Sequence, residues 1–194
     1  MPGATNINFA SLHDVELCTF AATGERKAFG ELVRRHGSAV RGLLRRMGAS
    51  ASEADDVAQD AFLTAFERIA EFRGEGTFAG WVKRIAARAY LRRLQKERKL
   101  VAMASENAED EARLAHRGDA DAAIDLDEAL KALSPAERLC VTMCFGAGLS
   151  HTEAADALNL PLGTVKSHVK RGLEKLRARL APGGVTLEGR RGNG

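Results

Sequence analysis

Between Leu149 and Arg171 the chain reads LSHTEAADALNLPLGTVKSHVKR, and this segment leaves a fold little freedom because its helix ends are written into the residues. Ser150 with Glu153 three positions on has the spacing of a capping box, in which hydroxyl and carboxylate each satisfy a backbone N–H of the first turn. Asn159 tolerates the left-handed conformation that ends a helix, and Pro161 cannot continue one. A second helix then starts near Gly163-Thr164. Its apolar stripe is Val165, Val169, Leu173, Leu176 and Leu180, and its opposite side carries Lys166, Ser167, Lys170, Arg171, Lys175 and Arg177. A helix with hydroxyls and cations at its exposed N-terminal end suits a DNA major groove, where it meets phosphates and base edges.

The same helical periodicity runs through most of the chain, and strand alternation is absent, so the expected class is all-α. Helices are expected at about Ser11–Thr23, Arg26–Met47, Ala51–Phe72 and Phe78–Leu100, punctuated by Gly24, Gly48 and the Gly74–Gly76 loop. These form a first domain over residues 1–100. Residues 101–124 are rich in Ala, Asp and Glu and hold too little large apolar surface to offset their ordering entropy, which reads as an acidic linker. A second domain follows over 125–181, with helices near Leu126–Leu133, Pro135–Gly146, Ser150–Leu158 and Thr164–Leu180. Residues 182–194 are Gly- and Arg-rich and read as a disordered tail.

The 194 residues are 45% hydrophobic but only 5% aromatic, so the core is expected to be aliphatic. Cys18, Cys140 and Cys144 form neither an even disulfide set nor a metal-ligand spacing. They read as buried small apolar residues in a reducing cytosol. No charged-then-apolar leader is present, nor an apolar run of about 18 residues, so the expectation is a cytoplasmic protein. No cofactor is expected. The net charge of +3 conceals an uneven distribution, with acid and base gathered in separate blocks.

Three constellations carry chemistry. In the fourth helix Arg84, Arg88, Arg92 and Lys96 recur every four residues, flanked by Lys83, Arg93, Arg98 and Lys99. Like charges at that spacing cost an isolated helix about 0.2–0.5 kcal/mol per pair, so the line is either a solvated face or a track for a polyanion. The preceding loop, Phe72-Arg73-Gly74-Glu75-Gly76-Thr77-Phe78, favours the track. Its glycines permit close backbone approach, and its edge aromatics offer a rim for an unstacked base. Phe78 and Trp81 are equally compatible with plain core, Trp81 more so. In the third helix Asp55, Asp56, Gln59 and Asp60 stand near the start. Such acids complement a helix dipole, yet with Leu63 they also make a patch on which a basic partner helix could dock.

Taken in order, Asp55-Asp56-Val57-Ala58-Gln59-Asp60-Ala61-Phe62-Leu63, Phe72-Arg73-Gly74 and Phe78-Ala79-Gly80-Trp81-Val82-Lys83-Arg84-Ile85-Ala86 resemble region 2 of bacterial sigma factors of the extracytoplasmic-function group. Leu133-Ser134-Pro135-Ala136-Glu137-Arg138 and the Ser150–Leu180 unit are similar to region 4 of the same group. The resemblance runs from about Ala28 to Leu180, with the acidic linker in place of region 3. It implies a promoter-specificity subunit of RNA polymerase, cytoplasmic and nucleoid-associated when bound to the enzyme. Region 2 would bind the β′ clamp helices through Asp55, Asp56, Gln59 and Asp60. The loop Phe72, Arg73, Gly74, Glu75, Gly76, Thr77 and Phe78, with Arg84, Arg88 and Arg92, would melt the −10 element and hold a flipped base. Region 4 would sit on the β flap and read the −35 element through Thr164, Lys166, Ser167, His168, Lys170, Arg171 and Lys175. An anti-sigma factor wedged between the domains is a further expected partner. Where many members have Ile-Ala-Arg-Asn and then Asp along the −10 helix, this chain has Ile85-Ala86-Ala87-Arg88 and Arg92.

Two rival readings remain open at this stage. The Ser150–Leu180 unit also resembles the DNA-binding domain of LuxR-type regulators, although the receiver or ligand-binding domain such proteins add has no counterpart in the pattern. A recombinase needs a nucleophile amid arginines, and Tyr90 sits among arginines, but on an all-helical background without a second catalytic group. His151-Thr152-Glu153 lacks the second histidine of a zinc helix. The chain is therefore expected to be no enzyme.

Overall fold

Serines start three of the helices. The hydroxyls of Ser50, Ser134 and Ser150 accept from the N–H groups of Glu53, Glu137 and Glu153 at 3.3, 3.3 and 3.1 Å, and the glutamates accept in return from the serine N–H groups. Left-handed residues stop two helices, Gly48 at φ 114° the one that ends at Met47 and Asn159 at φ 53° the one that Ser150 starts. Residues 7–104 and 124–180 are described by this structure, a computed structural model. Their order is a 3₁₀ turn at Phe9–Ser11, α1 (Asp14–Ala22), α2 (Arg26–Met47), α3 (Ala51–Glu67), a 3₁₀ turn at Ile69–Glu71, and α4 (Phe78–Ala104). The second half holds α5 (Ile124–Lys131), α6 (Pro135–Val141), a π turn at Thr142–Gly146, α7 (His151–Leu158) and α8 (Leu162–Leu180). No strand occurs among the described residues.

In the first half α2, α3 and α4 pack against one another and α1 lies on α2. The apolar stripe of α2, from Phe29 and Leu32 through Val40 to Leu44 and Met47, is buried, while its polar face carries arginines. In the second half α6, α5 and α7 pack on α8. The burial of Val165, Val169 and Leu176 matches the expected stripe, with Leu173 half-buried, but Leu180 is 48% exposed. The halves also meet. One apolar cluster runs from Leu17 and Leu32 through Ala86 and Leu91 to Leu139, Met143, Leu149 and Val169.

Several boundaries differ from expectation. The helix expected over Ala51–Phe72 ends at Glu67, because Arg68 leaves helical geometry at φ −105° and clasps Glu71 at 2.6 Å across a tighter turn. The helix expected over Pro135–Gly146 widens at Thr142, whose carbonyl accepts from Ala147 N–H at 3.0 Å, five residues on. The acidic linker falls, for residues 105–123, outside the described residues, and at its edges α4 and α5 run to Ala104 and from Ile124. The tail at 182–194 also lies outside them. Cys18 and Cys140 are buried and Cys144 half-buried, all free, and burial pushes the Cys18 thiol up to about 12.

Candidate nucleic-acid and partner interfaces

The outer face of α8 is where the sequence places it. Lys166, Ser167, Lys170, Arg171 and Lys175 are exposed, and Thr164 and His168 are half-buried. Their freedom to meet DNA differs, however. The Ser167 hydroxyl donates to the Gly163 carbonyl at 2.8 Å, and Arg171 lies 3.1 Å from His168 Nδ1. Lys175 donates to Glu137 Oε2 at 2.7 Å, and Arg171 Nε stands 3.6 Å from Oε1 of the same carboxylate. Glu137 is only 4% exposed and also accepts from Ser134 N–H at 3.0 Å. Burial pushes its carboxyl up, but the Lys175 and Ser134 hydrogen bonds outweigh that and hold it below its ordinary 4.5. Glu137 therefore binds α8 to the start of α6. Its Ser-x-x-Glu spacing was legible in the sequence; its two cationic partners, from 34 to 38 residues away, were not.

The loop before α4 splits the expected base-holding residues. Arg73 through Thr77 are exposed, and Gly74 and Gly76 take φ of 74° and 89°, which L side chains rarely adopt. Thr77 caps α4 by accepting from Gly80 N–H at 3.1 Å. Phe72 is half-buried and packs edge-on against Phe78 at 5.9 Å and on Trp81 at 5.5 Å. Phe78 itself is 1% exposed and touches Phe29 and His36, so its ring supports the loop from below and has no free face for a base. The expectation of a two-sided aromatic rim is corrected to Phe72, with Trp81 half-buried beside it. Arg84, Arg88, Arg92 and Lys96 all reach the surface of α4. Arg88 is engaged there, 2.8 Å from Glu153 of α7.

A third surface lies between α2 and α3. It is a groove of about 490 Å³ floored by Phe29, Val33, Phe62, Leu63 and Phe66 and edged by Arg26, Arg41, Asp55 and Gln59. Leu63 is 56% exposed. Asp55 stands 3.5 Å from Arg41, whereas Asp56 faces Arg93 of α4 at 3.8 Å and, like Asp60, does not line the groove. Of the four polar residues expected to contact a partner, Asp55 and Gln59 border this groove and Asp56 and Asp60 do not. The aromatic floor went unread because Phe29, Phe62 and Phe66 sit at positions that look like ordinary core.

Comparison with known proteins decides what these surfaces belong to. The family model described as Sigma-70 region 2 matches residues 32–100, and that described as Sigma-70, region 4 matches residues 129–178. The ECF RNA polymerase sigma factor SigM of Mycobacterium tuberculosis is 33% identical over 179 residues, covering 90% of this chain and 88% of that one. The chain belongs to the extracytoplasmic-function sigma factors of the sigma-70 family. SigE of Mycolicibacterium smegmatis, a longer ECF RNA polymerase sigma factor, is 33% identical over 84% of this chain and 66% of its own length. The sigma factor RpoE of Bartonella quintana, solved with the anti-sigma factor NepR, shares the fold at a TM-score of 0.52 and 21% identity, over 79% of this chain and 97% of that one.

As an alternative sigma factor the chain directs transcription. A region 2 match across 32–100 leaves the LuxR-type reading unsupported, since that resemblance is confined to the helix-turn-helix. Tyr90, the nucleophile a recombinase would need, is 3% exposed, and burial pushes its hydroxyl up to about 12. Among the described residues no helix is long and apolar enough to cross a membrane, and no group of His, Cys, Asp and Glu is placed to hold a metal.

Proposed function

We propose that this sigma factor works through three separate surfaces. Its groove between α2 and α3 receives the β′ clamp helices of core RNA polymerase; the loop 72–77 with Arg84, Arg88 and Arg92 holds the melted −10 strand; and α8 reads the −35 element. The observation that carries the reading is the apolar groove beside Asp55 and Gln59. An apolar floor with a carboxylate and an amide at its edge suits an amphipathic basic helix, and among the described residues Leu63 stands 56% exposed on it. Region 4 would rest on the β flap. The cell compartment is the cytoplasm, on the nucleoid when polymerase-bound, and an anti-sigma factor competes for the same surfaces.

Strand separation assigns distinct roles to the two DNA surfaces. Unpairing a base costs a few kcal/mol, which is offset when cations hold the backbone and a stacking face receives the base. Phe72 supplies that face, and the positive φ values of Gly74 and Gly76 let the backbone come close. On α8, Lys166, Lys170 and Arg171 are the groove-facing cations, and Arg171 is the candidate for a guanine contact.

Transcription in vitro tests the assignment. Arg84, Arg88 and Arg92 changed together to Gln should abolish run-off transcription from a duplex promoter yet recover much of it on a template mismatched across the −10 region. Equal impairment on both templates would refute a role in melting.

A further inference from the structure

The three cations of α8 that the proposed function aims at the −35 groove, Lys166, Lys170 and Arg171, differ in freedom. Among the described residues the side chains of Lys166 and Lys170 make no hydrogen bond or ion pair, whereas Arg171 is met from two sides. Its Nε stands 3.6 Å from Glu137 Oε1, and its Nη2 lies 3.1 Å from His168 Nδ1. Glu137 is itself fixed. Its other oxygen accepts from Ser134 N–H at 3.0 Å and from Lys175 at 2.7 Å, and its side chain is 6% exposed.

A guanidinium carries five N–H groups in one plane and no acceptor, so the nitrogen that meets it must accept. His168 therefore keeps its hydrogen on Nε2 and offers the lone pair of Nδ1 to Arg171. With Nε turned to Glu137 and one hydrogen of Nη2 turned to His168, Nη1 keeps both its hydrogens and Nη2 one. Those are donors enough for the two acceptors, O6 and N7, that guanine shows in the major groove. The side chain is 56% exposed, so they are open to a ligand.

We propose that His168 is a positioning residue for the reading of the −35 element: it holds the Arg171 guanidinium in one orientation on α8, so that the free donors meet a base and not the neighbouring phosphates. An arginine that is free beforehand loses rotamer freedom when it meets a base, and one already held loses less. It also has less reach. Released from His168, the same cation swings to the nearest phosphate, which adds affinity to every sequence and discrimination to none. In this role His168 touches Arg171 and no base. The proposal rests on the assignment of Arg171 to a base contact.

The test is competition binding by the full chain assembled with core polymerase. The probe is a promoter duplex that the parent holoenzyme selects from a pool randomised across the −35 element, and the competitor is the same duplex with that element scrambled. His168→Ala should lower the ratio of selected to scrambled affinity by about three- to ten-fold, which is what one lost hydrogen bond permits. Affinity for the scrambled duplex should hold or rise. Alanine suits a helix, so the circular dichroism spectrum should not change. His168→Asn, whose Oδ1 takes the place of Nδ1 on the same Cβ–Cγ stem, should restore most of the ratio. In an Arg171→Ala background His168→Ala should have no further effect. An unchanged ratio in His168→Ala overturns the positioning, as does an asparagine variant no better than alanine. An equal fall with and without Arg171 also overturns it, because His168 then meets the base itself. A pool that yields no preferred duplex, or an Arg171→Ala variant with an unchanged ratio, overturns the base assignment and the positioning with it.

Discussion

Replacing Glu137 with Gln removes one charge from a carboxylate that is 4% exposed, and the structure sets the size of the effect. Breaking a fully buried pair costs about 3–5 kcal/mol, but here Lys175 and Arg171 are 47% and 56% exposed and return to water when released. What is lost is the charge-assisted bond to Lys175 at 2.7 Å, while the amide oxygen still accepts from Ser134 N–H. That leaves about 1–2 kcal/mol. In a chain of this length the melting temperature should fall by about 2–8 °C. Glu137→Ala also loses the cap and should cost about 2–4 kcal/mol.

Acid should expose the same interaction. The folded carboxyl sits below its ordinary 4.5, so between those values the unfolded chain binds more protons than the folded one. The stabilisation is therefore full above about pH 4.5 and is lost as pH falls through the folded value. Urea melts followed by circular dichroism between pH 7 and 3 (about that range, set by carboxylate titration) should show a shallower acid loss in Glu137→Gln than in the parent. Identical midpoints and acid profiles would refute the anchoring of α8 through Glu137.

Leu63→Asp places a charge on the groove floor at an exposed position; it should abolish pull-down of core polymerase with an unchanged circular dichroism spectrum, and undiminished capture would remove the groove from the interface. Phe78→Ala should destabilise the fold by about 3–5 kcal/mol in chemical denaturation, as a fully buried ring does, whereas Phe72→Ala should spare stability more and impair opening on duplex promoters. Arg171→Ala should reduce preference for the cognate −35 sequence by about 1–3 kcal/mol in competition binding, and Lys175→Ala should chiefly lower the melting temperature because Glu137 loses the nearer of its two cations.

The helices were legible where local chemistry ends them. Ser50, Ser134 and Ser150 each announce a start through a glutamate three residues on, and Gly48 and Asn159 announce stops, so α2 spans Arg26–Met47 as read from the residues alone. The break at Arg68 and the π turn at Thr142 carry no such punctuation. The first comes with the Arg68–Glu71 clasp and the second with the Thr142 carbonyl bonded five residues on, and neither uses a residue type that marks a helix end. The same limit governs the surfaces. The cationic line of α4 and the exposed face of α8 could be read from helical spacing. That Phe78 lies under the loop, that Phe29 and Phe66 floor a groove, and that Glu153 meets Arg88 across 65 positions are facts of tertiary structure. Spacing along one helix is silent on all of them.

The central claim, that this chain gives core polymerase its promoter choice, is tested most directly by run-off transcription on a promoter library with core enzyme, with and without the protein. Discrete transcripts that require both components, and that vanish with Leu63→Asp, are the predicted result. Binding to duplex DNA by the protein alone, with no initiation from core enzyme, would contradict it.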